Sequence, residues 1–201
     1  MPNKTKQNWK LKSGWKLKDV IMVGIVSIVF AVVYLGAVYL GIFLSTLMMP
    51  TGLSPIANEP IYGIWFMAAT FIAFILRKPG AAIVTEMLAA LLEVLMGSMY
   101  GPLVFVDGAI QGLGAEMVFA AFGYRNFSLK VMGLAGIAAA ILSFIWDFFR
   151  SGFLMLSPWL LLAMIVIRIL SGWFFAGCLS LKLAQALEAT GVLKAWRGQG
   201  A

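Results

Sequence analysis

The side chains best able to do chemistry in this 201-residue sequence are its carboxylates. Of eight Asp and Glu residues, only Asp19 and Glu188 are peripheral, and the others lie within or at the ends of long apolar stretches. Ionisable side chains are costly in such surroundings and are therefore functional candidates by default. The six candidates are Glu59, Glu86, Glu93, Asp107, Glu116 and Asp147.

Spacing relates several of these carboxylates to one another. Glu86 and Glu93 are seven residues apart and share one helix face, as do Asp107 and Gln111 at a spacing of four. Glu116 is turned well away from Gln111 at about 100° per residue, which indicates a separate task. Asp107 could instead cap its helix, because acids are favoured at helix N-termini.

Aromatic residues lie near the same predicted outer ends as most of these acids. Carboxylates on one wall of a cup and aromatic rings on another would offer a flat cation opposite charge and π faces. Any single Tyr or Trp here is equally typical of the belt at a membrane interface. The predicted substrate-binding residues are Glu59, Tyr62, Trp65, Glu86, Glu93, Tyr100, Gln111, Glu116, Trp146 and Asp147.

Missing residue types exclude several classes of protein. The sequence has no His and one cysteine, Cys178, which excludes a His/Cys metal site and a Ser-His-Asp triad. It contains no G-x-x-x-x-G-K-[ST] run, so the chain has no P-loop of its own. We therefore expect no catalytic residues, no cofactor and no metal, and an energy source in an ion gradient or a partner.

Composition defines the fold class. The chain is 62% hydrophobic and 11% charged, whereas soluble domains are about 25% charged. Its long unbroken apolar runs lack the alternation of a membrane β-barrel and are typical of membrane helices. We predict an all-α integral membrane protein, a single bundle of six transmembrane helices. The predicted spans are residues 20–44, 62–76, 81–96, 105–122, 129–149 and 158–183.

The basic residues predict the orientation. Lysines crowd residues 1–19, and Lys or Arg also occupies the second and fourth connections and the C-terminal end. Under the positive-inside rule both termini are cytoplasmic. We expect residues 1–19 and 184–201 to be cytoplasmic tails around a membrane domain of residues 20–183. The lysines would face anionic lipid of a bacterial plasma membrane, and no nucleic-acid partner is expected.

Two further features have both a structural and a functional interpretation. Arg168 lies at the depth of Glu86 and Glu116 and is predicted to form a structural ion pair. In the first span Gly24, Ser27 and Ala31 form a stripe of small residues, which lets helices approach closely. The stripe is interpreted either as packing within the bundle or as a docking face for another membrane subunit.

Longer motifs carry a resemblance that covers most of the chain. The sequence resembles the substrate-binding subunits, or S-components, of energy-coupling factor (ECF) vitamin transporters, and among them the YkoE family. Glu86 with Glu93, and Arg168 with Ser171 and Gly172, fall where that family has them. The matching stretches are EPIYGIWF at 59–66, RKPGAA at 77–82, QGLGAE at 111–116 and SFIWD at 143–147.

The resemblance implies a function. Such a subunit would bind thiamine or its hydroxymethylpyrimidine precursor from outside with high affinity. It would associate with a transmembrane coupling protein and two ATP-binding-cassette ATPases, with Ser27-x-x-x-Ala31 contacting the coupling protein. The outer carboxylates would complement the thiazolium cation, and rings such as Trp65 and Trp146 would stack on the ligand.

Two alternatives remain open at this point. A small ion-coupled carrier or channel would use the carboxylates as a proton or cation relay. An intramembrane enzyme would have to use Glu86 and Glu93 together, but about 10 Å of helix separates them, too far to share a proton.

Overall fold

The computed structural model describes residues 14–193, and within that range the chain is helical with no β-strand. Most of the predicted lysine-rich tail and the last predicted tail residues lie outside the described residues. Seven α-helices are described: α1 Leu17–Met48, α2 Met67–Leu76, α3 Ala81–Leu95, α4 Val104–Ala121, α5 Leu129–Arg150, α6 Pro158–Gly172 and α7 Ser180–Ala189. The all-α prediction is confirmed.

Five segments of the described chain are long and apolar enough to cross a membrane. They are Leu17–Thr51, Ser54–Leu76, Val104–Ala121, Leu129–Arg150 and Pro158–Ala189. The remaining predicted span corresponds to α3, whose 15 residues give a length of about 22 Å at the α-helical rise. The bundle therefore has six helical segments, of which the third is shorter than the rest.

The second segment begins as a 3₁₀-helix, Glu59–Phe66, that continues directly into α2. Eight residues are unusual for this form, whose side chains follow a period of three. Its neighbour is α6, which approaches so closely that a Cβ on Gly63 would overlap the backbone of Ser171. The Gly63 N–H donates to Ser171 Oγ at 2.9 Å, and that hydroxyl donates to the Pro60 carbonyl at 2.8 Å. These contacts fix Glu59 and Tyr62 relative to α6.

The last segment contains a π-helix, Trp173–Leu179, between α6 and α7. Its buried side recurs every fourth residue: Leu160, Met164, Arg168, Gly172, Ala176, Ser180 and Ala184. In an uninterrupted α-helix a step of four residues drifts by about 40° around the axis. The wider π turn reverses that drift and keeps the line of buried residues facing the bundle.

The cytoplasmic end predicted from the basic residues is held by polar contacts. Lys78 in the α2–α3 turn pairs with Asp19 at 2.5 Å, and the Trp15 indole N–H donates to the Pro79 carbonyl at 3.2 Å. In the same turn Arg77 adopts left-handed backbone angles. The start of α1 and this turn therefore lie at one end of the bundle, as the positive-inside assignment requires.

The structure places most of the small-residue stripe of α1 inside the bundle. Ser27 and Ala31 are fully buried, and Ser27 Oγ donates to the Thr85 carbonyl of α3 at 3.1 Å. Gly24 is half-buried. Of the two interpretations, the structure favours helix packing for Ser27 and Ala31, and we do not retain them as a docking face.

Candidate functional site

A cavity of about 380 Å³ opens between the ends of the helices that lie opposite the α2–α3 turn. All six helical segments contribute to its wall. Seven predicted substrate-binding residues line it: Glu59, Tyr62, Trp65, Glu86, Tyr100, Gln111 and Asp147. Its other lining residues are Tyr34, Ser54, Pro55, Asn58, Ala90, Val104, Asp107, Arg150, Ser151, Phe153 and Arg168.

One side of the cavity is an ion-pair network centred on Arg168, which is 1% exposed. Its Nε and Nη2 donate to the two carboxylate oxygens of Glu59 at 2.6 and 2.7 Å. Its Nη1 donates to Asp147 Oδ2 at 2.7 Å. This bidentate arrangement is the strong geometry for an Arg–carboxylate pair.

Arg168 therefore forms an ion pair, as predicted, but with Glu59 and Asp147. The prediction that its partner is Glu86 or Glu116 was wrong. The 3₁₀ turn carries Glu59 into the bundle, where its carboxylate is 1% exposed rather than at the outer mouth. Tyr62 completes the arrangement. Its ring lies 3.6 Å from the Arg168 guanidinium carbon, and its hydroxyl donates to Asp147 Oδ2 at 2.8 Å.

The mouth of the cavity carries a second cluster of charges. Arg150 Nη2 lies 3.2 Å from both Asp107 Oδ2 and Asp147 Oδ1, and its side chain is 26% exposed. The Trp146 indole N–H donates to Asp107 Oδ1 at 2.6 Å. Trp146 was predicted to bind the substrate, but it does not line the cavity. It contacts the site only through its hydrogen bond to Asp107.

On the opposite wall, Glu86 has a different environment. It is fully buried, accepts from the Tyr34 hydroxyl at 2.7 Å, and accepts from the backbone N–H of Ala69 at 2.8 Å. Tyr34 in turn accepts from the Ala68 N–H at 3.0 Å. Among residues 14–193, no Lys or Arg forms an ion pair with Glu86.

Glu93 lies behind the wall and not on it. Its Oε1 accepts from the Ser98 hydroxyl at 2.6 Å and its Oε2 from the Trp65 indole N–H at 3.3 Å. Trp65 itself lines the cavity. Glu93 therefore positions a predicted stacking ring, while Glu86, on the same helix face, reaches the cavity directly.

Glu116 lies away from the cavity, at the end of the bundle that carries the α2–α3 turn. It accepts from the N–H groups of Gly80 and Ala82 at 2.6 and 3.0 Å and so caps the start of α3. It also accepts from the Tyr124 hydroxyl at 2.6 Å, and burial together with this hydrogen bond raises the pKa of Tyr124 above its ordinary value. The structure does not bring Glu116 to the other predicted site residues.

Glu116→Ala tests this placement. Loss of a helix cap costs about 0.5–2 kcal/mol, so we expect a lower melting temperature in detergent. Affinity for the ligand should stay within about twofold of that of the unchanged protein, because the residue is remote from the cavity. A large loss of affinity in folded Glu116→Ala protein would return this residue to the binding site.

The lining residues give the cavity an acidic character. Four carboxylates face two guanidinium groups, a formal net charge of −2 in a chain whose net charge is +7. Aromatic rings from Tyr34, Tyr62, Trp65, Tyr100 and Phe153 complete the wall. The volume falls within the range of about 300–1,000 Å³ typical of small-molecule sites. The arrangement suits an organic cation.

Eleven lining residues lie outside the predicted binding set, and three of them, Tyr34, Asp107 and Arg150, contact the predicted carboxylates or each other. Tyr34 could have been noticed as a hydroxyl-bearing residue in the middle of an apolar span. Asp107 was a candidate carboxylate with helix capping as its alternative role, and the spacing of Arg150 to Asp147, i to i+3, indicates only a pair within one helix. The sequence contained no sign that Arg150 would bridge Asp107 and Asp147 across two helices.

Three comparisons with known proteins place the chain. Residues 18–142 match a family described as the permease component of an ABC-type cobalt transport system. The putative HMP/thiamine permease protein YkoE of Bacillus subtilis (strain 168) is 48% identical over 179 residues, which cover 89% of this chain and 87% of that protein. A crystal structure of an S-component of an ECF transporter matches with a TM-score of 0.86 and 47% identity over 90% of each chain.

The fold is that of the S-component class of membrane transport subunits. Within that class, the chain belongs to the YkoE family. It is therefore a multi-pass plasma-membrane transport subunit and not an enzyme. Because the chain is an S-component, it is expected to bind a ligand and to couple to an ECF module that carries ATPases.

Proposed function

We propose that this chain captures thiamine from outside in the acidic cavity and passes it to a coupling protein driven by two ATP-binding-cassette ATPases. The observation that carries the proposal is the uneven charge of the cavity wall. Glu59, Asp107 and Asp147 share two cations, Arg150 and Arg168, whereas Glu86 has no Lys or Arg partner among residues 14–193. A bound organic cation would supply the missing positive charge.

The groups near Glu86 suit the rest of thiamine. The Gln111 side chain lines the cavity, and its amide group can act as both donor and acceptor to an aminopyrimidine edge. Trp65 offers an indole face held in place by Glu93.

The description of the matching family names cobalt, which would make the ligand a metal ion rather than an organic cation. The aromatic lining and the cavity volume support an organic cation rather than a bare metal ion. No group of three or more Cys, Asp or Glu side chains within residues 14–193 is placed to hold a metal ion. The stand-alone carrier is not retained, because the S-component match extends over 90% of the chain.

The test is thermal unfolding of the detergent-purified chain with a panel of vitamins. A ligand that binds only the folded state stabilises it by about 2.7 kcal/mol at 100 times its Kd. We expect thiamine to raise the melting temperature and neutral or anionic vitamins to leave it unchanged. A shift with hydroxymethylpyrimidine alone would move recognition to the pyrimidine ring and remove the role of the cation. A folded protein with no shift would contradict the proposal.

A further inference from the structure

The start of α2 fixes the position of the Glu86 carboxyl group. An α-helix leaves its first N–H groups without partners inside the helix. Here α2 begins at Met67, and the next two amides, Ala68 and Ala69, donate to Tyr34 and Glu86. Tyr34 donates in turn to Glu86, so the two side chains close the helix start in the middle of the bundle. Tyr34 therefore positions the carboxyl group.

This carboxyl group has too few partners for a buried ion. An ionised carboxylate has about four acceptor sites, and only the Tyr34 hydroxyl and the Ala69 N–H occupy them from residues 14–193. Burying an isolated charge is so costly that the group neutralises instead. Without a cation beside it, the least costly form of Glu86 is the neutral acid.

The other titratable groups around Glu86 do not supply a counter-charge. Tyr34 faces it from α1, Glu93 lies on its own helix, and α4 carries Asp107; α2 contains no titratable side chain. Across the cavity, Glu59, Asp147, Arg150 and Arg168 are engaged with one another. Asp107 is paired with Arg150, and the negative charge of Glu93 on the same helix opposes ionisation of Glu86 further.

We propose that Glu86 holds a proton in the ligand-free protein and releases it to the outer solution when a cationic ligand binds, with Tyr34 as the positioning residue. This inference rests on the proposed function. The exchange balances: the neutral acid and a ligand of charge +1 become a carboxylate–cation pair and one free proton. Cation binding should strengthen as pH rises, until Glu86 is ionised without ligand.

Isothermal titration calorimetry of thiamine in buffers of different ionisation enthalpy measures the proton directly. We expect up to one proton released per thiamine bound. Where Glu86 is fully protonated, Kd should fall by about tenfold per pH unit. Experiments at pH 7 to 9 keep the aminopyrimidine of thiamine unprotonated, so a released proton comes from the protein.

Tyr34→Phe assigns the proton to Glu86. Removing a donor to the carboxylate favours the neutral acid, so the pH at which release ends should move upward by about one unit or more. Tyr39→Phe is the matched control, because Tyr39 lies on the same helix and is 54% exposed. It should leave the pH profile unchanged.

The outcomes separate this inference from the proposed function. Saturable thiamine binding with no proton release at any pH would overturn the inference and leave the proposed function standing. Proton release with the same pH profile in Tyr34→Phe would overturn the assignment to Glu86. Folded protein that shows no thiamine binding at any pH would contradict both.

Discussion

Arg168→Ala is expected to lower the stability of the protein by about 3–5 kcal/mol, because it leaves the buried Glu59 carboxylate without its ion-pair partner and removes the shorter of the two ion pairs of Asp147. Glu59 loses a bidentate contact and Asp147 loses its 2.7 Å hydrogen bond from Nη1. The Tyr62 ring also loses the guanidinium stacked 3.6 Å from its centre. The measurement is the thermal unfolding of the detergent-purified variant, with yield and monodispersity recorded.

Two variants sharpen that result. Arg168→Lys keeps the charge but cannot form the bidentate contact, so its melting temperature should lie between those of Arg168→Ala and the unchanged chain. Arg150→Ala is the matched control at the cavity mouth. Its side chain is 26% exposed and its two contacts are longer, at 3.2 Å. If Arg168→Ala unfolds at the same temperature as Arg150→Ala, the structural role of Arg168 is refuted.

Glu86→Gln is expected to weaken thiamine binding by about 30-fold or more. Removing one partner of a buried charge pair costs about 2 kcal/mol at least, and each 1.4 kcal/mol is tenfold in Kd. The glutamine carbonyl oxygen can still accept from the Ala69 N–H, and its amide nitrogen can donate to the Tyr34 hydroxyl oxygen, so the start of α2 and the fold should be retained. Titration of purified protein with thiamine measures the affinity.

Glu93→Gln is the matched comparison on the same helix face. Because Glu93 lies behind Trp65, its neutralisation should reduce affinity by less than tenfold, through a less firmly held indole. An equal or greater loss than in Glu86→Gln would show that the cation lies closer to Glu93. That result would exchange the roles of the two carboxylates.

Much of the site could be read from the sequence where one helix geometry applied throughout. Glu86 and Glu93 share a face as the α-helical period predicts, and both point into the bundle. The partners of Arg168 could not be found that way, since Glu59 lies in a 3₁₀-helix with a different period and rise. Glu59 and Arg168 are 109 residues apart in the sequence. Their contact depends on the close packing of two helices at Gly63, which the sequence alone does not show.

Other differences arise from side-chain direction, which spacing alone does not give. Trp146 was expected to stack on a ligand, and its indole N–H instead donates to Asp107. Glu116 was predicted as a binding residue although its angular offset from Gln111 indicated a separate task, and the structure places it at the start of α3 as a cap. Ser27 and Ala31 have the spacing of a docking stripe, but the neighbour that covers them is α3 of the same chain.

The π-helix Trp173–Leu179 separates two working parts of one helix. Before the π-helix, Arg168 lines the cavity. After it, Ser180 accepts a hydrogen bond from Thr70 at 2.9 Å. A gained or lost residue in an α-helix rotates everything beyond it by about 100°. A π turn holds one residue more than an α turn, so the loss of one residue inside Trp173–Leu179 can be taken up by tightening the turn. Such a loss would leave the direction of the Arg168 guanidinium unchanged, because Arg168 precedes the π-helix.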